Sequence, residues 1–150
     1  MELRRRRDLA LADREYQSYL RRLIQVRQDI LVSERARRKA GAVVVPLVRR
    51  LTSVLAEGPR GPGRGEAPRF TLSQADAAEA ERRADALVPA WVLTEPDRLS
   101  SIELEGYLAA LDGGQKAVSG ERASVIRVHD RLQQELRRRY RYDPSRILHD

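Results

Sequence analysis

Apolar residues recur at helical spacing through a stretch from about Asp8 to Ala40 that contains neither Gly nor Pro. On a wheel of about 100° per residue with Ser18 at the origin, Tyr16, Leu20, Leu23, Ile24, Ile30 and Leu31 fall between about 120° and 240°. Arg14, Ser18, Arg21, Gln25 and Asp29 gather around 340°. One face is apolar and the opposite face polar, so the pattern predicts one long helix over about residues 8–40. Gly41 and Pro46 end it, Ala42 to Val45 is a brief β-like run, and Val48 to Glu57 suits a short second helix. Gly58 to Arg69, GPRGPGRGEAPR, concentrates Gly, Pro and Arg and reads as a flexible linker.

Thr71 or Ser73 can cap a further helix through about Val88, with Asp76 and Glu79 early in it, where the helix dipole favours acids. Pro89 and Pro96 bracket Trp91, Val92 and Leu93, an apolar connection suited to plugging the end of a hairpin. Ser100 or Ser101, followed by Glu103 and Glu105, marks the start of a last helix that runs to about Arg141. Its apolar stripe is Val118, Val125, Val128, Leu132 and Leu136, on the side away from Ser119. Gly113 and Gly114 each cost about 1 kcal/mol in a helix interior, so a kink or a fresh helix start is expected there. Asp143-Pro144 ends the pattern, and residues 142–150 are expected to fray. The expectation is a single all-α domain over residues 1–150: a long antiparallel coiled-coil hairpin of helices 8–40 and 100–141, joined through a short helical middle and linker at 46–98.

Composition narrows the chemistry. Without cysteine there are no disulfides and no thiolate zinc sites. No apolar run approaches the roughly 20 residues that cross a bilayer, and MELRRRRDLALADRE has no apolar signal core, so a cytoplasmic protein is expected. A net charge of +7 favours anionic partners. The basic residues are 27 Arg and two Lys; Arg is the better bidentate binder of phosphate and guanine, and a GC-rich genome produces the same bias.

The one pattern that suggests a site is a repeat. Arg14 to Asp29, REYQSYLRRLIQVRQD, and Gln115 to Asp130, QKAVSGERASVIRVHD, lie 101 residues apart and share Ser18 with Ser119, Arg21 with Arg122 and Asp29 with Asp130. A hydroxyl, a guanidinium and a carboxylate on one helical stripe make a plausible reader of a small anionic, hydrogen-bonding ligand. The exposed face of any coiled coil is also rich in such residues, and Ser124 with Arg127 offers another Ser-x-x-Arg. His129 and His149 are the only histidines, so no histidine-based triad or metal cluster assembles, and an enzyme is not expected. The glycine-rich run lacks the Gly-Lys-Ser/Thr ending of a phosphate loop. Arg4 to Arg7 and RRRYR at Arg137 to Arg141 could touch nucleic-acid phosphates or serve as solvated helix ends.

At the two repeated segments the chain resembles the RsiG family, actinobacterial anti-sigma factors that hold a WhiG-type sporulation sigma factor inactive when loaded with cyclic di-GMP. Their signature is Glu-x-x-x-Ser-x-x-Arg-x-x-x-Gln-x-x-x-Asp, once on each of two antiparallel helices. Ser18, Arg21, Gln25 and Asp29 match the first copy, and Ser119, Arg122 and Asp130 the second. SYLRRLIQVRQDIL and LQQELRRRYR extend the likeness. Arg14 and Gln115 stand in the two Glu positions, and Ile126 in the second Gln position. The resemblance implies a non-enzymatic protein, monomeric as a chain, with cyclic di-GMP as co-ligand and a WhiG-type sigma factor as partner. The alternatives are a coiled-coil interaction protein without a ligand and a basic nucleic-acid-binding module.

Overall fold

The computed structural model describes residues 2–41 and 72–142. Within them lie α1 (Glu2–Lys39), α2 (Gln74–Leu87), α3 (Ala90–Thr94), a 3-10 turn at Pro96–Arg98 and α4 (Ser101–Tyr142). The described residues are all-α, and α1 and α4 pack along each other as a long hairpin. The expected helix at Val48 to Glu57, the β-like run at Ala42 to Val45, the linker at Gly58 to Arg69 and the tail beyond Tyr142 lie outside the described residues. No helix among those described is long and apolar enough to cross a membrane.

Local chemistry sets the boundaries. Gly41 follows α1 with φ 61°, the left-handed conformation that ends helices, and its N–H donates to Arg38 O at 3.1 Å. Ser73 caps α2 by accepting from Asp76 N at 3.1 Å. At the head of α4, Ser100 Oγ accepts from Glu103 N at 3.2 Å and Glu103 Oε2 accepts from Ser100 N at 2.8 Å, a reciprocal box that satisfies two orphan donors. Those bonds to Ser100 hold the Glu103 carboxyl below the ordinary glutamate range.

Cross-hairpin bonds fix direction and register. Arg4 donates to Tyr140 Oη at 2.6 Å, Gln17 to Glu121 at 2.8 Å, Arg122 to Ser18 at 3.0 Å and Arg35 to Glu105 at 3.3 Å. The low numbers of one helix meet the high numbers of the other, so the helices run antiparallel. The seam on α1 has a seven-residue period: Ala10, Gln17, Ile24 and Leu31, with Leu20, Arg27 and Glu34 three residues behind the last three; all are buried. Leu104, Leu108, Leu111, Val118 and Leu136 supply the facing knobs. Each fully buried Leu, Ile or Val contributes roughly 1.5–3 kcal/mol, which makes this seam the main source of cohesion.

Four expectations change. α1 starts at Glu2 rather than near residue 8, because the hairpin register continues to its end, where Arg4 both donates to Tyr140 and lies 5.4 Å over its ring. The Trp91 to Leu93 connection coils into α3, with Val92 buried and Trp91 half exposed. The stripe expected on α4 holds at Val118 and Leu136, which are buried, and at Val125 and Leu132, which are half-buried, but Val128 is 51% exposed, and Arg122 falls on the seam's own three-and-four spacing beside Val118 and Val125. Gly113 and Gly114 cause no break; a Cβ at Gly114 would come within 2.5 Å of Leu87 Cδ1, so the glycine admits a side chain of α2 to the surface of α4.

Candidate functional site

Ser18 and Arg122, one from each copy of the repeat, meet across the seam. Ser18 Oγ donates back to Arg14 O at 2.8 Å, a bond that α1 itself makes possible because serine hydroxyls reach the carbonyl one turn earlier. The same oxygen accepts Arg122 Nε at 3.0 Å. The guanidinium is thereby fixed by one nitrogen, and its two terminal nitrogens have no partner among the described residues. Arg122 lines a cleft of about 210 Å³ together with Ser18, Arg21, Arg22 and Gln25. Three arginines around a small polar concavity have the chemistry that suits an anion.

The register places Arg21 level with Ser119, the mirror of the Ser18–Arg122 pair. That second pair forms no bond: Arg21 and Ser119 are exposed and have no hydrogen-bond partner among the described residues. Gln25 is likewise exposed and unpartnered among them. Asp29 and Asp130 each lie eight residues past the Arg of their copy, about 12 Å along the helix, and in opposite directions because the helices are antiparallel. They do not line the central cleft. Asp29 is half-buried, while Asp130 borders a second concavity of about 570 Å³ with Arg7, Asp8, Leu11, His129, Gln133, Gln134 and Arg137. There His129 Nδ1 lies 3.2 Å from Asp130 Oδ1.

At the positions that depart from the signature, Arg14 contributes its backbone carbonyl to Ser18, Gln115 is half-buried on the seam spacing, and Ile126 is half-buried two turns from Ser119. Arg22 joins the cleft without having been singled out in the sequence; its neighbour Arg21 and its place on the polar side of the wheel were the available signal. No group of His, Asp and Glu among the described residues is arranged to hold a metal ion. No protein-family model matches the chain, and no curated protein matches it.

Proposed function

We propose that this protein is an anti-sigma factor that binds cyclic di-GMP on the open face of its hairpin and, so loaded, sequesters a WhiG-type sigma factor. The observation that carries the reading is the Ser18–Arg122 bond, which joins the two copies of the repeat across the seam into one basic cleft. Two motif copies on antiparallel helices generate an approximate two-fold axis, and a cyclic dinucleotide is itself two-fold symmetric. In this reading Arg21, Arg22 and Arg122 meet phosphates or guanine N7 and O6, all acceptors suited to a guanidinium fork. Asp29 and Asp130, farther out along each helix, accept from guanine N1–H and N2–H. Gln25 and the two serines complete the contacts, Ser18 mainly by positioning Arg122. The bound phosphates change the charge of a basic face, and the sigma factor grips that composite surface, so nucleotide and partner bind in a linked equilibrium without catalysis.

The test is a calorimetric titration of the full chain with cyclic di-GMP, with and without a WhiG-type sigma factor. Saturable binding is expected, lost in the Asp29→Ala/Asp130→Ala double variant while helicity persists, with sigma-factor binding that requires the nucleotide. Unchanged nucleotide affinity in that variant, or equal sigma binding with and without nucleotide, refutes the reading.

A further inference from the structure

Gln17 interrupts the apolar seam. It occupies the heptad position shared by Ala10, Ile24 and Leu31, is only 8% exposed, and its Oε1 has no hydrogen-bond partner among the described residues. A buried amide left half satisfied costs stability relative to a leucine in the same place. A lone polar residue at such a position is also a means by which a coiled coil fixes its register. Gln17 Nε2 donates to Glu121 Oε2 at 2.8 Å, and the next residue of each helix makes the next bond, Arg122 Nε to Ser18 Oγ at 3.0 Å. Two consecutive residues of α1 therefore hold two consecutive residues of α4, about 100° apart around each helix. The first of these bonds is shared with α2, and the second borders the cleft.

α2 completes the arrangement. Arg83 donates to Glu121 Oε1 at 3.2 Å and to Oε2 at 3.4 Å, and it also hydrogen-bonds to Tyr16 of α1. The bond to Tyr16, followed by that to Glu121, raises its pKa. One turn farther along α2, Leu87 packs against Gly114, which lies two turns before Glu121 on the same side of α4. Two contacts in line along α4 resist its rotation about its own axis. That rotation matters at the cleft. Side chains extend about 5–6 Å from a helix axis, so turning α4 by about 10° moves the head of Arg122 by roughly 1 Å. Such a shift takes a 3.0 Å bond out of hydrogen-bonding range.

We propose that Gln17, Glu121 and Arg83 are positioning residues for the cleft, and that α2, through Arg83, sets the rotation of α4 that keeps Arg122 on Ser18. Gln17 fixes the register at a cost in stability, and Arg83 fixes the rotation. The Arg83–Glu121 pair is half exposed and adds little to stability, so its effect is on orientation. The inference deepens the nucleotide reading and rests on it for its consequence in binding, because a misplaced Arg122 weakens the cleft for an anionic ligand.

The test uses the ligand-free full chain, so its outcome is independent of whether nucleotide binds. Exchange of the Arg122 Nε–H proton with water, followed by nitrogen-edited NMR and assigned with Arg122→Lys, reads the bond to Ser18 directly. Arg83→Met is expected to speed that exchange about tenfold with little change in the urea midpoint, and Arg83→Lys to recover most of the protection. Gln17→Leu is expected to raise the urea midpoint and yet speed the exchange, a division that a purely structural role would not give. Asp85→Asn breaks the ion pair of α2 with Arg27 and leaves Glu121 untouched, so it is expected to alter the exchange by less than about twofold. Unchanged exchange in Arg83→Met or Gln17→Leu, an equal acceleration in Asp85→Asn, or exchange that simply follows the urea midpoint across the set overturns the proposal.

Discussion

Arg122 shows how a single hydrogen bond can prepare a site. Its Nε is committed to Ser18 across the seam, so the guanidinium is held at the lining of the cleft before any anion arrives, and less side-chain entropy is lost on binding. Ser18→Ala is therefore expected to weaken cyclic di-GMP binding about tenfold, close to the 1.4 kcal/mol of one charge-assisted hydrogen bond, and Ser119→Ala by much less. Calorimetry on both variants decides; equal losses would mean that Ser18 acts on the ligand and not through Arg122. A second residue commands structure in the same way. Glu34 is fully buried and accepts from Arg37 at 2.6 Å and Arg38 at 2.8 Å, and Arg38 also donates to the carbonyls of Pro96 at 3.0 Å and Leu99 at 2.7 Å. The carboxylate thus orients the arginine that ties the end of α1 to the turn before α4. Glu34→Gln leaves those guanidiniums half-buried beside a neutral amide, and is expected to cost about 3 kcal/mol in urea unfolding. A loss below about 1 kcal/mol would show that the cluster is solvated in solution.

The elements divide into those whose cause is local and those whose cause is distant. The capping box at Ser100 and Glu103 is local, so Ser100→Ala is expected to remove about 1 kcal/mol of stability. Its pH dependence has a definite sign. The Glu103 carboxyl is depressed in the folded chain by bonds from Ser100, so its contribution is full above the ordinary glutamate value of about 4.3 and disappears as pH falls through the folded value. Urea midpoints of wild type and Ser100→Ala should differ at pH 7 and converge toward pH 3, and a gap that persists in acid would assign the cap to the hydroxyl alone. Local signals of this kind are why the long helices, the Ser73 start and the Pro89 stop were legible in the sequence. Gly114 was not, because the reason for it is Leu87, twenty-seven residues away on another helix. The loss of Val128 from the α4 stripe was hidden for a related reason: Leu104, Leu108 and Leu111 fix the seam, and Arg122 then shares it regardless of polarity. The pairing of Ser18 with Arg122 followed from spacing only once an antiparallel register was in place.

At the scale of the molecule, the repeat and the antiparallel packing together make an approximate two-fold, with arginines near the centre and one aspartate toward each end. The two ends are unlike. Asp130 opens onto the broad concavity bounded by Arg7, His129 and Arg137, whereas Asp29 is half-buried near the closed end of the hairpin. A ligand that binds only the folded chain stabilises it by about 2.7 kcal/mol at one hundred times its Kd. For a chain of 150 residues that corresponds to a rise in Tm of roughly 5–10 °C. The nucleotide reading therefore predicts a concentration-dependent rise with cyclic di-GMP that vanishes in Arg21→Ala/Arg122→Ala, read by the loss of helical circular dichroism on heating. A ligand-free coiled coil predicts no shift at any nucleotide concentration. A nucleic-acid module predicts stabilisation by DNA or RNA that collapses with added salt and persists after both aspartates are removed, because phosphate contacts from Arg4 to Arg7 and Arg137 to Arg141 would carry it. The aspartates separate these outcomes, since a carboxylate improves binding only where the ligand presents donors, as the guanine edge does, and opposes binding to phosphate alone.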